Sequence, residues 1–188
     1  MVQIVFLDTD IILDYLENRN KEVRDLVAQL LLLHEKVRII LATSVFNVAE
    51  LIDKEFEIHF LSWCLKEKMS SDEAYNKFRK DEKLFQEVSE KNRKDIEENI
   101  NDFIFKKNIQ ILSLSGAEEY KEIFNLIYQR NLKSQDALVI TTALVNKVTY
   151  FLSNDSNLTS RIGDLLDTYN LRDKNLREAF RSNVLEAI

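Results

Sequence analysis

The chain has 188 residues, of which 45% are hydrophobic and 31% charged, and its formal net charge is -6. This length and hydrophobic content suffice for one well-packed core, and the negative charge disfavours a protein that coats nucleic acid nonspecifically. Because there is no proline and only two glycines, a glycine-rich phosphate-binding loop is excluded and long helices with short turns are expected. We therefore predict a single domain over residues 1–188.

The cysteine content and the N-terminal residues bear on the cellular compartment. The single cysteine, Cys64, excludes an internal disulfide and a cysteine-based metal site. No apolar run reaches the roughly 18 residues that a membrane-spanning helix needs. The first residues have the pattern of a core strand, without the basic start of a signal peptide. These features predict a cytoplasmic protein with no membrane partner.

The segment from Val2 to Leu16 combines a buried strand with carboxylates at its end. The apolar run Ile4-Val5-Phe6-Leu7 predicts the strand, and Asp8-Thr9-Asp10 follows it directly, before a helical pattern. In parallel α/β sheets, ligands bind at the carboxyl ends of the strands, so Asp8 occupies a position where chemistry is expected. The alternative is that Asp8 or Asp10 only caps the next helix.

Three later segments also have the pattern of buried strands: Val37 to Leu41, Ile109 to Leu114 and Val148 to Leu152. A helix that Ser44 is expected to cap follows the first of these strands and carries Glu50 in its second turn. Asp136 stands at the start of an apolar helix, and Asp155 follows the last predicted strand. Each of these acids, taken singly, can be explained as a helix cap or as a partner of the helix dipole.

A long charged region, residues 56–107, separates the second and third predicted strands. From Ser70 to Lys107 its apolar residues recur at helical spacing and predict one or two long amphipathic helices. The charged residues are favoured as an ordinary solvated face, and a clamp for a phosphate backbone is the alternative. After Asp155, the residues from Leu158 to Tyr169 show only a helical pattern, so no fifth strand is predicted there. A terminal helix is expected over Asp173 to Ile188.

Four acidic residues are thus expected at one edge of a parallel sheet: Asp8, Glu50, Asp136 and Asp155. Crowded carboxylates repel one another and raise one another's pKa unless a cation neutralises them. A site made only of oxygen ligands favours a hard cation, Mg²⁺ or Mn²⁺. Such an ion can activate a water molecule and stabilise charge on a phosphoryl group. The residues therefore predict metal-dependent hydrolysis of phosphodiester bonds.

The chain also resembles the PIN-domain ribonucleases, through segments similar to their four motifs, in order: Phe6 to Asp10, Ser44 to Leu51, Gln135 to Ile140 and Phe151 to Asp155. The resemblance implies a three-layer α/β/α sandwich with a mainly parallel sheet of four or five strands. It implies that the four acids bind one or two divalent ions, supported by the hydroxyl groups of Thr9, Ser134 and Ser153. The position of Asp10 is often asparagine in that family.

Family members of similar size include VapC-type toxins, which cut RNA, commonly form homodimers and are silenced by an antitoxin. The resemblance therefore implies an endoribonuclease with an RNA substrate, and an antitoxin protein and a second copy of the chain as partners. The region at 56–107 is longer than in the small toxins.

Two other functions stay open at this point. Asp8-Thr9-Asp10 is also similar to the DxD motif of haloacid dehalogenase-like phosphatases, in which the first aspartate is a nucleophile and the second an acid/base. That family places a later Gly-Asp at the site, whereas Gly163-Asp164 lies inside an apolar helical pattern here. The third function is a noncatalytic interaction module that binds a protein partner through its helical arm.

Overall fold

The computed structural model of the chain describes residues 2–80 and 90–186. The chain divides into two compact units, the first formed by Met1–Val48 together with Ile109–Ile188 and the second by Ala49–Asn108. The first unit holds the sheet, and the second contains the segment predicted to be a helical arm.

The first unit is built on a five-stranded parallel sheet with the strand order β3-β2-β1-β4-β5. The strands are β1 (Gln3–Leu7), β2 (Ile39–Ser44), β3 (Gln110–Leu112), β4 (Tyr150–Ser153) and β5 (Asp167–Asn170). The predicted α/β class with a mainly parallel sheet is confirmed.

Helices connect the strands and follow the predicted segments closely. In chain order they are α1 (Thr9–Leu16), α2 (Lys21–Glu35), α3 (Val45–Lys66), α4 (Ser71–Lys80), α5 (Glu90–Asn101), α6 (Tyr120–Arg130), α7 (Ser134–Val145), α8 (Ser156–Ile162) and α9 (Lys174–Phe180). The start of α3 is capped as predicted, because the backbone N–H of Asn47 donates to the hydroxyl of Ser44. None of the helices in the described ranges is long and apolar enough to cross a membrane.

The core lies around the two central strands. Val5, Phe6 and Leu7 of β1 are completely buried, as expected for a central strand of a parallel sheet that is covered on both faces. The rings of Phe6 and Phe151 stack with their centroids 5.1 Å apart and join β1 to β4. Burying a side chain of this size stabilises the fold by about 1.5 to 3 kcal/mol. This contact therefore helps to hold together β1 and β4, which Asp8 and Asp155 follow.

The absence of a fifth strand was a wrong prediction. Helix α8 ends at Ile162, and Asp167–Asn170 form β5, which pairs with β4 in parallel. Only two of its four residues, Thr168 and Tyr169, favour strands, so the segment has little strand signal of its own. Strand β5 forms because it pairs with the edge of β4. Its Tyr169 also packs on Phe180, with ring centroids 5.0 Å apart.

The second predicted strand starts later and ends later than its sequence pattern indicates. Val37 has a φ of 58° and is 75% exposed, a left-handed conformation that a strand cannot contain. Strand β2 therefore begins at Ile39 and continues to Ser44. This extension carries the strand directly into the capped start of α3.

The second unit has a small core of its own. Phe60, Cys64 and Ala74 form it, with Met69 and Phe78 packed against it, and the amphipathic character predicted for this region is confirmed for α4 by this packing. Ion pairs such as Lys94 with Glu90 lie on its exposed surface. The part of the helical pattern that was predicted through Leu84, Phe85 and Val88 lies outside the described residues.

Candidate active site

Strand β1 is at the centre of the sheet, with β2 and β3 on one side and β4 and β5 on the other. The strand order therefore reverses between β1 and β4. In open α/β sheets the ligand crevice lies outside the carboxyl ends of the strands at such a point. The backbone N–H of Asp8 donates to the carbonyl of Leu152 at 3.0 Å, so the ends of β1 and β4 lie side by side. Asp8 and Ser153 therefore stand at the expected crevice.

Asp8 caps a helix and also stands at this edge. Its Oδ1 accepts the backbone N–H of Thr9 at 2.9 Å, at the start of α1. The same oxygen accepts the side-chain Nδ2 of Asn47 at 2.7 Å. Thr9 is buried, and its Oγ1 accepts the same amide at 3.0 Å. The predicted capping role of Asp8 is thus confirmed, and its role in a site stays a prediction, since one carboxylate can do both.

Asp10 is a second acid at this edge, outside the set of four. Its Oδ2 accepts the backbone N–H of Asn154 at 2.9 Å, whereas its Oδ1 is buried and has no hydrogen-bond partner among the described residues. Burial first, and then the charges of Asp8 and Asp14, raise the pKa of Asp10 to about 8, although Arg172 opposes them. Asp10 therefore carries a proton at neutral pH unless a cation compensates its charge.

Asp14 lies one turn further along α1 and is completely buried. Its Oδ2 accepts Nδ2 of Asn154 at 2.9 Å and Nε of Arg172 at 3.2 Å, and its Oδ1 accepts Nη2 of Arg172 at 2.9 Å. This network was not predicted from the sequence. The four-residue spacing of Asp10 and Asp14, which places both on one helix face, is the one local signal that could have indicated it.

Asp155 follows β4 and begins α8. Its Oδ1 accepts the backbone N–H groups of Asn157 and Leu158 at 2.8 and 3.0 Å, so its predicted capping role is confirmed. The hydroxyl of the buried Ser153 accepts the backbone N–H of Asp155 at 3.1 Å. Asp155 is exposed, so solvent screens the charge of its carboxylate.

Asp136 lies in the first turn of α7 and is half-buried. Burial and, more weakly, the negative charge of Asp155 raise the pKa of Asp136, while Lys133 and Arg161 oppose this shift. Asp136 and Asp155 are therefore electrostatic neighbours, and their shared metal-binding role stays a prediction. Ser134 is the first residue of α7 and is exposed, and its supporting role stays a prediction.

Glu50 lies in the second turn of α3, as predicted, and is half-buried. It belongs to the second unit of the chain, Ala49–Asn108. Its membership of the site stays a prediction.

The acids of the first unit form two groups, Asp8 with Asp10 and Asp14, and Asp136 with Asp155. No three acidic, histidine or cysteine side chains in the described ranges lie in an arrangement ready to hold a metal ion. The donor chemistry nevertheless fits a hard divalent cation, because all the donors are oxygens and the buried Oδ1 of Asp10 lacks a partner among the described residues. The raised pKa values of Asp10 and Asp136 show that ionising these carboxyl groups is costly, and a bound cation lowers that cost.

No protein-family model matches the sequence, and no curated protein matches it. Among solved structures, a chain in the crystal structure of VapBC2 from Rickettsia felis, bound to a DNA fragment from their promoter, is similar to this chain. The TM-score is 0.53 at 16% sequence identity, and the match covers 88% of this chain and 97% of that chain. The fold is PIN-like. At this identity the likeness concerns the fold alone.

The PIN-like fold also separates the residues that a phosphatase of the dehalogenase type would have to bring together. Asp164 lies between the end of α8 and the start of β5, hence at the amino edge of the sheet, opposite Asp8. Its carboxylate is bound by both terminal nitrogens of Arg130 at 2.6 Å. Gly163-Asp164 therefore cannot supply the acidic motif that such a phosphatase places beside its nucleophile.

Proposed function

We propose that this protein is a metal-dependent endoribonuclease of the PIN type, which hydrolyses RNA phosphodiester bonds with Mg²⁺ or Mn²⁺. The proposal is supported by one observation: carboxylates follow β1 and β4 and stand at the start of α7, in two groups that both belong to the first unit. In these groups, Asp10 and Asp136 have raised pKa values. Such a gathering is costly without a cation, and perturbed carboxyl groups of this kind cluster at functional sites.

In this proposal Asp8, Asp136 and Asp155 hold the ion, directly or through water, and Glu50 completes the cluster or orients the attacking water. The ion supplies a more acidic bound water and stabilises charge on the phosphoryl group. The chain's part is to hold the carboxylates in place: Asn47 binds Asp8, and Ser153 holds the backbone of Asp155. Thr9 and Ser134 are the further supporting hydroxyls.

The partners follow from the same proposal. The similar chain belongs to a VapBC2 complex, which supports a role for this protein as the toxin of a toxin–antitoxin pair with an antitoxin as its partner. A homodimer is expected from the family resemblance. A noncatalytic interaction module is the rival function, and it requires that the acids bind no ion.

The first experiment is a calorimetric Mn²⁺ titration of the wild type beside Asp136→Asn. It needs no knowledge of the RNA substrate. Asp164→Asn is the matched control, because the same acid-to-amide change is made at the opposite edge of the sheet. We expect the wild type and Asp164→Asn to bind equally, and Asp136→Asn to bind at least about 10-fold more weakly, because loss of even a hydrogen-bond partner of a ligand typically costs about 10- to 100-fold in affinity.

Circular dichroism of each variant must show that it is folded. Equal binding by Asp136→Asn would reduce Asp136 to a partner of the helix dipole and would contradict the proposal. No binding by the wild type would favour the interaction module.

A further inference from the structure

Asn47 connects the start of α3 to the acidic end of β1. The two hydrogens of its Nδ2 are donated to Oδ1 of Asp8 at 2.7 Å and to Oγ1 of Thr9 at 3.0 Å. Its Oδ1 accepts the hydroxyl of Ser44. Both polar atoms of the Asn47 side chain are therefore used, and two of these three contacts go to residues at the end of β1.

These contacts leave one orientation for the amide. If the group were turned over, its carbonyl oxygen would face the carboxylate of Asp8, and two acceptors would oppose each other. The hydroxyl of Ser44 holds the other end, since it donates to Oδ1 of Asn47 and accepts the backbone N–H of the same residue at 3.1 Å. Ser44 and Asn47 are both completely buried, so water does not compete for these bonds.

The position of Asn47 in its helix explains why this residue can reach across to β1. Ser44 precedes α3, and Asn47 is the third helical residue, the position at which a capping box has Glu or Gln reaching back to the cap. Asn47 directs its amide to the neighbouring strand end instead. The rigid start of α3 thereby fixes a side chain at the end of β1.

We propose that Asn47 is a positioning residue, which holds the carboxylate of Asp8 in the orientation needed for cation binding. This inference rests on the proposed function, because it assigns a role toward the ion. The physical reason is general: hydrogen-bond partners of a metal ligand orient it, and their removal typically lowers metal affinity by about 10- to 100-fold. Asn47 lies within the second motif segment, but its residue type does not reveal this role, since the contact reaches from the start of α3 to the end of β1.

The test is a Mn²⁺ titration of the wild type, Asn47→Leu and Asn146→Leu. Leucine has about the shape of asparagine and no donor. Asn146 provides the matched control, because its Nδ2 also makes two hydrogen bonds, to the carbonyls of Ser113 at 3.2 Å and Thr142 at 2.9 Å, at the end of α7 rather than at the acids. Urea unfolding of both variants compares their losses of stability.

We expect Asn47→Leu to bind Mn²⁺ about 10- to 100-fold more weakly than the wild type, and Asn146→Leu to bind like the wild type even when it is equally destabilised. Binding by folded Asn47→Leu within threefold of the wild type would overturn the proposal. If Asn47→Leu does not fold, Asn47→Ser is judged by the same criterion, because a serine fits the space. Absence of Mn²⁺ binding by the wild type itself would instead remove the proposed function, and this inference with it.

Discussion

The two groups of acids are held in opposite ways. Asp14 is completely buried and is bound by the amide of Asn154 and by Arg172, and Asp10 is mostly buried and accepts the backbone N–H of Asn154. Asp155 is exposed and Asp136 half-buried, and both stand at helix starts. A buried carboxylate is held in a fixed position but ionises less readily. A carboxylate in solvent ionises more readily, but its electrostatic interactions with neighbouring groups are weaker. Asp10 and Asp14 are thus suited to set positions, whereas Asp136 and Asp155, together with the half-buried Asp8, are suited to meet a ligand.

The largest expected effect is on catalysis. Asp8→Asn and Asp155→Asn should each lower the rate of RNA cleavage in Mn²⁺ by about 10³-fold, because metal-ion catalysis is worth several kcal/mol and about 1.4 kcal/mol corresponds to a factor of ten. Both variants should stay folded, since asparagine also caps helices. Cleavage of a mixed RNA pool, with EDTA and Asp164→Asn as controls, checks this. A loss of folding in Asp8→Asn would contradict the assigned role.

The next largest effect concerns the buried group. Arg172→Leu should lower the free energy of unfolding by about 2 to 3 kcal/mol, because it removes two charged hydrogen bonds from the completely buried Asp14. Arg130→Leu is the control, because it breaks an even closer pair with Asp164, at 2.6 Å, on the surface, where the expected cost is about 1 kcal/mol or less. Urea unfolding measures both. Equal losses would show that burial does not distinguish the two pairs.

Asp10→Asn should increase stability at pH 8 in the absence of divalent ions. The folded state raises the pKa of Asp10 from 3.8 to about 8, so the stabilisation from its bound proton is complete below about pH 4 and is lost as the pH rises toward 8. Asparagine keeps an acceptor for the N–H of Asn154 and carries no charge. We expect a gain of about 1 to 2 kcal/mol at pH 8 and a smaller change at pH 5.

Urea unfolding in EDTA at the two pH values makes this measurement. Asp164→Asn serves as the comparison, because Arg130 lowers the pKa of Asp164 and its removal should bring no gain. A pH dependence of Asp10→Asn identical to that of the wild type would show that another group titrates in this range.

The smallest expected effect is on stability, and it distinguishes the capping role of Asp155 from the effect of its charge. Asp155→Ala should lower the free energy of unfolding by about 1 kcal/mol, because it removes the acceptor for two backbone N–H groups. Asp155→Asn should cost only a few tenths, since it retains that acceptor. Thermal unfolding compares the two variants. A common, large loss of stability in both would mean that the charge of Asp155, and not its cap, stabilises the fold.

Much of the fold was predictable because its signals are local. The apolar run before Asp8 marks a central strand, and Ser44 before α3 and Asp155 before α8 cap their helices as their residue types favour. Strand β5 was not predictable, since its residues need the edge of β4 to pair with. The starting point of β2 was missed because the φ of Val37 is not encoded by its residue type.

The sequence by itself determined where the acids stand along the chain: at strand ends and helix starts, where Asp8, Asp136 and Asp155 are found. The tertiary structure alone decided which of them share an environment. The bonds between Asp14 and Arg172 join residues 158 positions apart, and the amide of Asn47 meets Asp8 across 39 positions. Such contacts depend on strand order and on burial. A pattern of residue types contains neither, because both arise only when distant segments pack together.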